Sequence, residues 1–263
     1  MSRATFQAFL ATRNAADYAD FFLPHLNAGS RVLDVGCGTG TITVGLAVHA
    51  GEVVGVDPDN EFDDARRYAV EHGLENVEFR RGSVYALELP NDHFDACLAH
   101  SMLETLERPL DALIEIKRTL KPGAIVGVAC VEYGGLILAG PGEEILWRFY
   151  SVREQLWQLE STADPYRGRR LRDLLGRAGF EGVATTSTFF SYGTPTAVEA
   201  FGLARAEQCR EEDWYSKRAR AHGLATATEL EEMQRTWVEW SKAPDAYLAF
   251  AWCRALGQKP SGP

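Results

Sequence analysis

The stretch VLDVGCGTG, residues 32–40, constrains this chain more than any other, because an apolar run passes directly into Gly36, Gly38 and Gly40 and a helical pattern follows at once. Glycine at every second position permits a tight turn and a close backbone approach to a ligand. The spacing is G-x-G-x-G, with Thr41 where the dinucleotide fingerprint has its third glycine. A nicotinamide or flavin site is therefore disfavoured. Asp34, two residues ahead of the first glycine, argues the same way: a carboxylate beside the loop opposes a pyrophosphate and suits a ligand with an ammonium group. Asp57 closes the next apolar run, VVGVDPD. Its carboxylate can accept both hydroxyl hydrogens of a ribose, so loop and acids together describe a nucleoside with a cationic end.

Around this unit the first half alternates apolar, β-branched runs at 31–35, 53–57, 77–80, 94–99 and 124–132 with helical patterns at 41–50, 59–72 and 109–120. That alternation is the signature of a parallel sheet wound with helices. The second half reads as a glycine-rich loop at 133–142, helices at 143–159 and 169–178, a sixth strand at 181–191, helices at 196–208, 213–222 and 228–242, and a last strand at 245–254. With 263 residues, 46% hydrophobic and 24% charged, the chain is long enough for one large globular domain. A net charge of −10 repels phosphate backbones and anionic headgroups, which argues against nucleic acid and membrane partners. Five cysteines, Cys37, Cys97, Cys130, Cys209 and Cys253, contain no C-x-x-C pair. Reduced thiols of a cytoplasmic protein are expected rather than a disulfide framework or a zinc site. No apolar run approaches the roughly 20 residues of a membrane span.

VLDVGCGTGTIT, VVGVDPD, FRRGSVYALELP and FDACLAHSMLETLERPLDALIEIKRTLKPGA occur in the order of the motifs of class I S-adenosylmethionine-dependent methyltransferases, and the chain resembles that family. Within it, the chain is similar to the small-molecule enzymes of ubiquinone and menaquinone biosynthesis, closely over residues 14–131 and loosely beyond. The resemblance implies an α/β fold: a doubly wound, Rossmann-like sheet of seven mostly parallel strands. The last strand lies antiparallel between the fifth and sixth. The helical stretch 195–244, read as an insertion between the last two strands, is expected to fold over the ligand-binding edge as a lid, because loops gather there in a doubly wound sheet; the alternative is helices that lengthen the core or form a dimer face. It divides the single domain into an N-terminal helical cap at 1–30, a cofactor-binding core at 31–132, substrate-side helices and a sixth strand at 133–194, the lid, and the strand at 245–254. It implies S-adenosyl-L-methionine as cofactor, with Gly36, Gly38 and Gly40 along its methionine and ribose portion and Asp57 on the ribose hydroxyls; Asp34 and Cys37 complete the expected cofactor-binding loop. Pro58, Gly82, Ser83 and Val84 fall at the adenine, and Arg13 at the carboxylate. Ser83 stands where the family usually has Asp, so the adenine amine meets a hydroxyl without charge assistance.

Methyl transfer from a sulfonium is an in-line displacement, in which the protein mainly orients and encloses the acceptor. A small-molecule acceptor is expected, because the chain has neither an N-P-P-Y tetrapeptide nor a Pro-Cys pair of the kinds that nucleic-acid methyltransferases use. No acidic metal-ligand pattern is legible. His100, after the fourth strand, is the candidate catalytic and cofactor-packing side chain. Glu104 reads as a solvated acid, and Glu132, Tyr133 and Trp147 are the residues expected at the acceptor. A second possibility is a protein that binds the cofactor without transferring its methyl, as a regulator, scaffold or non-redox catalyst. The sequence carries no sign of oligomeric state.

Overall fold

The computed structural model describes residues 13–59, 62–160 and 163–262. Seven strands form one sheet: β1 (Arg31–Val35), β2 (Glu52–Asp57), β3 (Val77–Arg81), β4 (Phe94–His100), β5 (Leu120–Ala139), β6 (Glu181–Tyr192) and β7 (Tyr247–Gln258). Their order is β3-β2-β1-β4-β5-β7-β6. The helices are α1 (Ala15–Tyr18), α2 (Thr41–Ala47), α3 (Asp63–Glu71), α4 (Pro109–Thr119), α5 (Glu143–Glu160), α6 (Leu171–Arg177), α7 (Pro195–Gln208), α8 (Trp214–Ala221) and α9 (Ala227–Trp240). Two compact units emerge. The core unit takes its described residues from Ala8–Val131, Tyr166–Ser187 and Cys253–Pro263, and the helical unit from Glu132–Pro165 and Thr188–Trp252.

In the core unit β1 lies parallel between β2 and β4, with Val32 opposite both Val53 and Ala96. β3 extends the parallel set beyond β2, and β5 beyond β4. Strands enclosed on both faces need apolar side chains on both, and Val32, Leu33, Val35, Val53, Val54 and Leu98 are accordingly buried. β7 runs the other way. Gly123 N–H donates to the Lys259 carbonyl at 2.9 Å and Lys259 N–H to that of Ala124 at 2.9 Å, while the missing Cβ of Gly257 faces Val126 and Val183. Farther along, Ser187 approaches Cys253. As β5 and β6 advance, β7 recedes, which is the antiparallel last strand that the resemblance implies.

Several boundaries differ from expectation, each for a local reason. The loop expected at 133–142 is strand as far as Ala139, because its glycines admit a neighbour instead of breaking the ladder: a Cβ on Gly135 would collide with that of Ala251. The helix expected at 59–72 begins at Asp63, since Phe62 takes a left-handed φ of 59° and stacks on Phe79 at 5.3 Å; positions 60 and 61 lie outside the described residues. α2 stops at Ala47, α4 gives way to β5 at Leu120, and α6 follows a 3-10 turn at Gly168–Arg170. The last strand spans Tyr247–Gln258 instead of 245–254, carried on by the apolar Ala255 and Leu256. Of the cap expected at 1–30, residues 1–12 lie outside the described residues, and α1 and a 3-10 turn at Leu23–His25 form part of the remainder.

Between β6 and β7 the chain is helical, as α7, α8 and α9. Thr194 and Asp213 cap the first two through side-chain oxygens. Thr226 opens α9 with a capping box: Glu229 N–H donates to its hydroxyl at 3.2 Å and the Glu229 carboxylate accepts from its N–H at 2.8 Å.

Phe22, fully buried, lies against Gly127 of β5, where a Cβ would stand 2.5 Å from its ring. A methyl there must displace the ring, and overpacking of this kind costs about 1–3 kcal/mol. Gly127→Ala is expected to lower unfolding stability by that amount in urea titration, with the slope against denaturant unchanged.

Candidate active site

All of the cofactor residues expected from the sequence belong to the core unit. β1 delivers the chain to the glycine loop, and the loop is fastened to β2: Gly36 and Cys37 N–H both donate to the Val56 carbonyl, at 2.8 and 3.2 Å. Gly36, Gly38 and Gly40 take φ values of 73°, 55° and 78°, a region that side chains other than glycine enter at a cost. Space decides at the outer two, where a Cβ would strike Met102 at Gly36 and Ala65 and Phe79 at Gly40. At Gly38 nothing lies within 4 Å of that position. The middle of the loop is therefore bare backbone facing open space.

Asp57 ends β2 beside the loop. Its Oδ2 accepts from Gly38 N–H at 3.0 Å and its Oδ1 from Asp59 N–H at 3.0 Å, which fixes the carboxylate beside the loop. Pro58 is exposed, and its carbonyl is held by Arg81 Nε at 2.7 Å. Gly82 N–H donates to the Asp57 carbonyl at 3.2 Å, bringing the end of β3 to the end of β2. Ser83 is exposed, its hydroxyl accepting from Tyr85 N–H at 3.3 Å, while Val84 is buried. The structure thus gathers Gly36, Cys37, Gly38, Gly40, Asp57, Pro58, Gly82, Ser83 and Val84 at the carboxyl ends of β1, β2 and β3.

Asp34 is buried and accepts from Thr43 Oγ1 of α2 at 2.7 Å. Burial pushes its carboxyl up to about 7, the neighbouring Asp57 charge pushes the same way, and the Thr43 bond opposes both. Cys37 in the loop is also raised, well above the usual thiol range, by burial and then by the charges of Asp34 and Asp57. Thr43 was not distinguished in the sequence, where it is one more residue of an amphipathic helix.

His100, at the end of β4, is buried with its ring against the edge of Tyr18, centroids 5.5 Å apart. Arg13 lies over the same tyrosine at 5.4 Å. Burial, aided by the charges of Arg13 and of Arg254, which the sequence did not mark, pulls the imidazole well below the usual histidine range. Glu104 is not the solvated acid expected. Ser101 turns the chain back with a φ of 55° and an N–H bond to the Ala129 carbonyl at 2.8 Å. The carboxyl is thereby buried against the Ser101 hydroxyl at 3.0 Å and raised by that burial.

The expected acceptor residues belong to the helical unit. Glu132 is buried, its Oε1 accepting from Gly134 N–H at 3.1 Å. Tyr133 N–H donates to the Pro165 carbonyl at 3.0 Å. Its ring lies 6.0 Å from that of Tyr150, which Trp147, 42% exposed, approaches at 6.5 Å. Tyr133 and Trp147 thus share Tyr150 as a neighbour. Among the described residues no group of three or more His, Cys, Asp or Glu side chains is placed to hold a metal ion, and no helix is long and apolar enough to cross a membrane.

A strand order of 3-2-1-4-5-7-6 with helices on both faces, and a glycine loop clamped between β1 and β2 beside an acid, define the class I fold that binds S-adenosylmethionine. A family model described as methyltransferase domain matches residues 33–128. An uncharacterized methyltransferase of Schizosaccharomyces pombe is 38% identical over 138 residues, 49% of this chain and 49% of its own length. A probable methyltransferase of Aspergillus luteorubrus, ltbC, is 29% identical over 94% of this chain and 92% of its own. A ubiquinone biosynthesis O-methyltransferase of Roseobacter denitrificans is 28% identical over 66% of this chain and 70% of its own. Among solved structures, the YcgJ protein of Bacillus subtilis superimposes with a TM-score of 0.62 at 17% identity, covering 94% of this chain and all of that one, which shows the shared fold. Residues 33–128 thus match a methyltransferase domain, and the chain is similar in sequence to methyltransferases and shares the class I fold, whose cofactor is S-adenosylmethionine.

Two measurements probe this loop. Asp57→Ala is expected to weaken S-adenosylhomocysteine binding at least tenfold by calorimetry, since a hydrogen bond to a charged group contributes about 1.5–3 kcal/mol; unchanged affinity in a folded variant would remove Asp57 from the site. Asp34 binds a proton in the folded chain between about pH 4 and 7 that the unfolded chain has released. Its contribution to stability is therefore present at low pH and is lost as pH rises through 7. Without ligand, Asp34→Asn should remove a fall in stability over that window, read as the difference between wild-type and variant denaturation curves.

Proposed function

We propose that the protein transfers the methyl group of S-adenosylmethionine to a small-molecule acceptor, and that alignment and exclusion of water, rather than a dedicated base, carry the rate. The observation that bears the most weight is the state of His100. A general base must accept a proton in the transition state, yet burial and the charges of Arg13 and Arg254 all disfavour the imidazolium. A neutral ring packed on Tyr18 serves to shape the site. The acidic net charge of −10 and the five free thiols agree with a cytoplasmic enzyme whose acceptor is neither nucleic acid nor lipid surface. The relative named for ubiquinone biosynthesis supports a small acceptor.

The cofactor supplies the electrophilic carbon; the chain supplies position. In this reading Gly36, Cys37, Gly38 and Gly40 take the methionine and ribose portion, for which the open face at Gly38 leaves room. Asp57 accepts from the ribose hydroxyls, and Pro58, Gly82, Ser83 and Val84 border the adenine. Arg13 meets the carboxylate, and Asp34 holds the loop through Thr43. On the acceptor side we assign Glu132, Tyr133 and Trp147, and the helical insertion 195–244 serves as the lid. Holding two reactants in register is worth about 7–11 kcal/mol of barrier, enough to account for methyl transfer to an acceptor that is already a nucleophile.

Incubation with methyl-labelled S-adenosylmethionine and a small-molecule extract should yield a labelled low-mass product, identified by mass spectrometry. Tight cofactor binding with no labelled product would favour a binding protein without transfer. With the acceptor known, His100→Ala should lower kcat by less than the 10² to 10⁴ of a lost general base. A loss beyond about 10³, with cofactor affinity intact, would make the histidine the base.

A further inference from the structure

The helical unit contains two guanidinium groups that no carboxylate among the described residues neutralises. Arg205, on α7, is 8% exposed, and Arg153, on α5, is half-buried. Both donate to a single neutral acceptor, Oε1 of the buried Gln208, at 3.3 and 3.1 Å. Ring faces flank both, Phe201 at 4.5 Å from the Arg205 guanidinium and Trp157 at 5.0 Å from that of Arg153, and the Tyr150 hydroxyl lies beside Arg205. Every buried charge elsewhere in proteins is expected to have a counter-charge or a full set of hydrogen bonds. Here two like charges share one carbonyl oxygen.

Among the described residues, four polar atoms of this unit lack a hydrogen-bond partner by geometry: Nε of Arg153, Nε of Arg205, the Tyr150 hydroxyl and Nε1 of Trp237. The Tyr150 and Trp237 rings meet edge to face with centroids 6.2 Å apart, and Phe201 reaches Trp237 at 6.0 Å. Three of the four are obligate donors and the hydroxyl can act as one. Buried donors of this kind are rare enough in folded proteins to require an explanation. An anionic partner would answer the charge and supply acceptors to these donors, and a planar carboxylate matches the fork of a guanidinium in both charge and geometry. The surrounding rings favour a flat apolar body attached to it.

We propose that the helical unit is the recognition site for the acceptor, and that the acceptor is an aromatic or conjugated carboxylate whose anionic group is held by Arg205 and Arg153, assisted by the Tyr150 hydroxyl and Trp237 Nε1. The proposal rests on the reading of the chain as a small-molecule methyltransferase and narrows it to anionic acceptors. It deepens the choice of Tyr133 and Trp147 as acceptor residues, since both lie against Tyr150. The site requires binding only, so its test does not depend on turnover.

Calorimetric titration of the full chain, saturated with S-adenosylhomocysteine, would compare 2-naphthoate with its neutral isostere 2-naphthamide, with acetate and with 2-naphthyl phosphate. Naphthoate is expected to bind at least tenfold more tightly than the amide and acetate, and no more weakly than the phosphate ester. Arg205→Met and Arg153→Met should each abolish most of the preference for acid over amide, and Tyr150→Phe should reduce it. Arg205→Met should melt no lower than wild type, because removing an uncompensated buried cation relieves the folded state. Equal binding of acid and amide, absence of naphthoate binding, a phosphate ester preferred more than tenfold, or a preference that survives both arginine variants would overturn the assignment. If Arg205→Met fails to fold, Arg153→Met and Tyr150→Phe decide it. Failure of methyl transfer with naphthoate bound as described would count against the reading of function and leave the anion site standing.

Discussion

The bond from Gly36 and Cys37 N–H to the carbonyl of Val56 is the joint on which the core unit depends. It ties the turn after β1 to the end of β2, so the loop cannot drift from the strand that carries Asp57. Gly38 then reaches the Asp57 carboxylate by its own N–H, and Gly82 reaches the Asp57 carbonyl. Three strand ends are thereby fixed relative to one another by backbone groups, with no side chain needed to span between them. A ligand that binds here would meet a surface whose shape is set before it arrives, as the proposed alignment-driven displacement requires.

The division of the chain into two units follows the same logic. The core unit is built from strands buried on both faces, whose apolar side chains leave few polar groups to place. The helical unit is built from long aromatic helices with arginines in its interior. The expected cofactor residues fall in the first of these compositions and the proposed acceptor residues in the second.

Much of the core was legible in the sequence because its signals are local. VLDVGCGTG gave both the strand and the turn, and each following strand carried its own apolar run. The limits of legibility also have physical causes. Gly134 and Gly135 read as a loop because a glycine needed for close strand approach looks the same in sequence as one needed for a turn. Glu104 read as solvated because its burial comes from a left-handed Ser101, which no periodicity announces. Arg205 sits in PTAVEAFGLARAEQ among residues that favour a solvated face. Its lack of a counter-charge is a statement about three dimensions, and the family pattern ends before it.

One detail of the loop bears on selectivity. The most easily alkylated group in most proteins is a thiolate, and thiolate rather than thiol is the nucleophile. Cys37 stands in the loop assigned to a ligand whose purpose is to alkylate. Burial and the charges of Asp34 and Asp57 push that thiol well above its usual range, which disfavours the thiolate that an electrophile would attack. The acids that border the proposed ligand site would thereby also serve chemoselectivity, by keeping a neighbouring sulfur in its less reactive form.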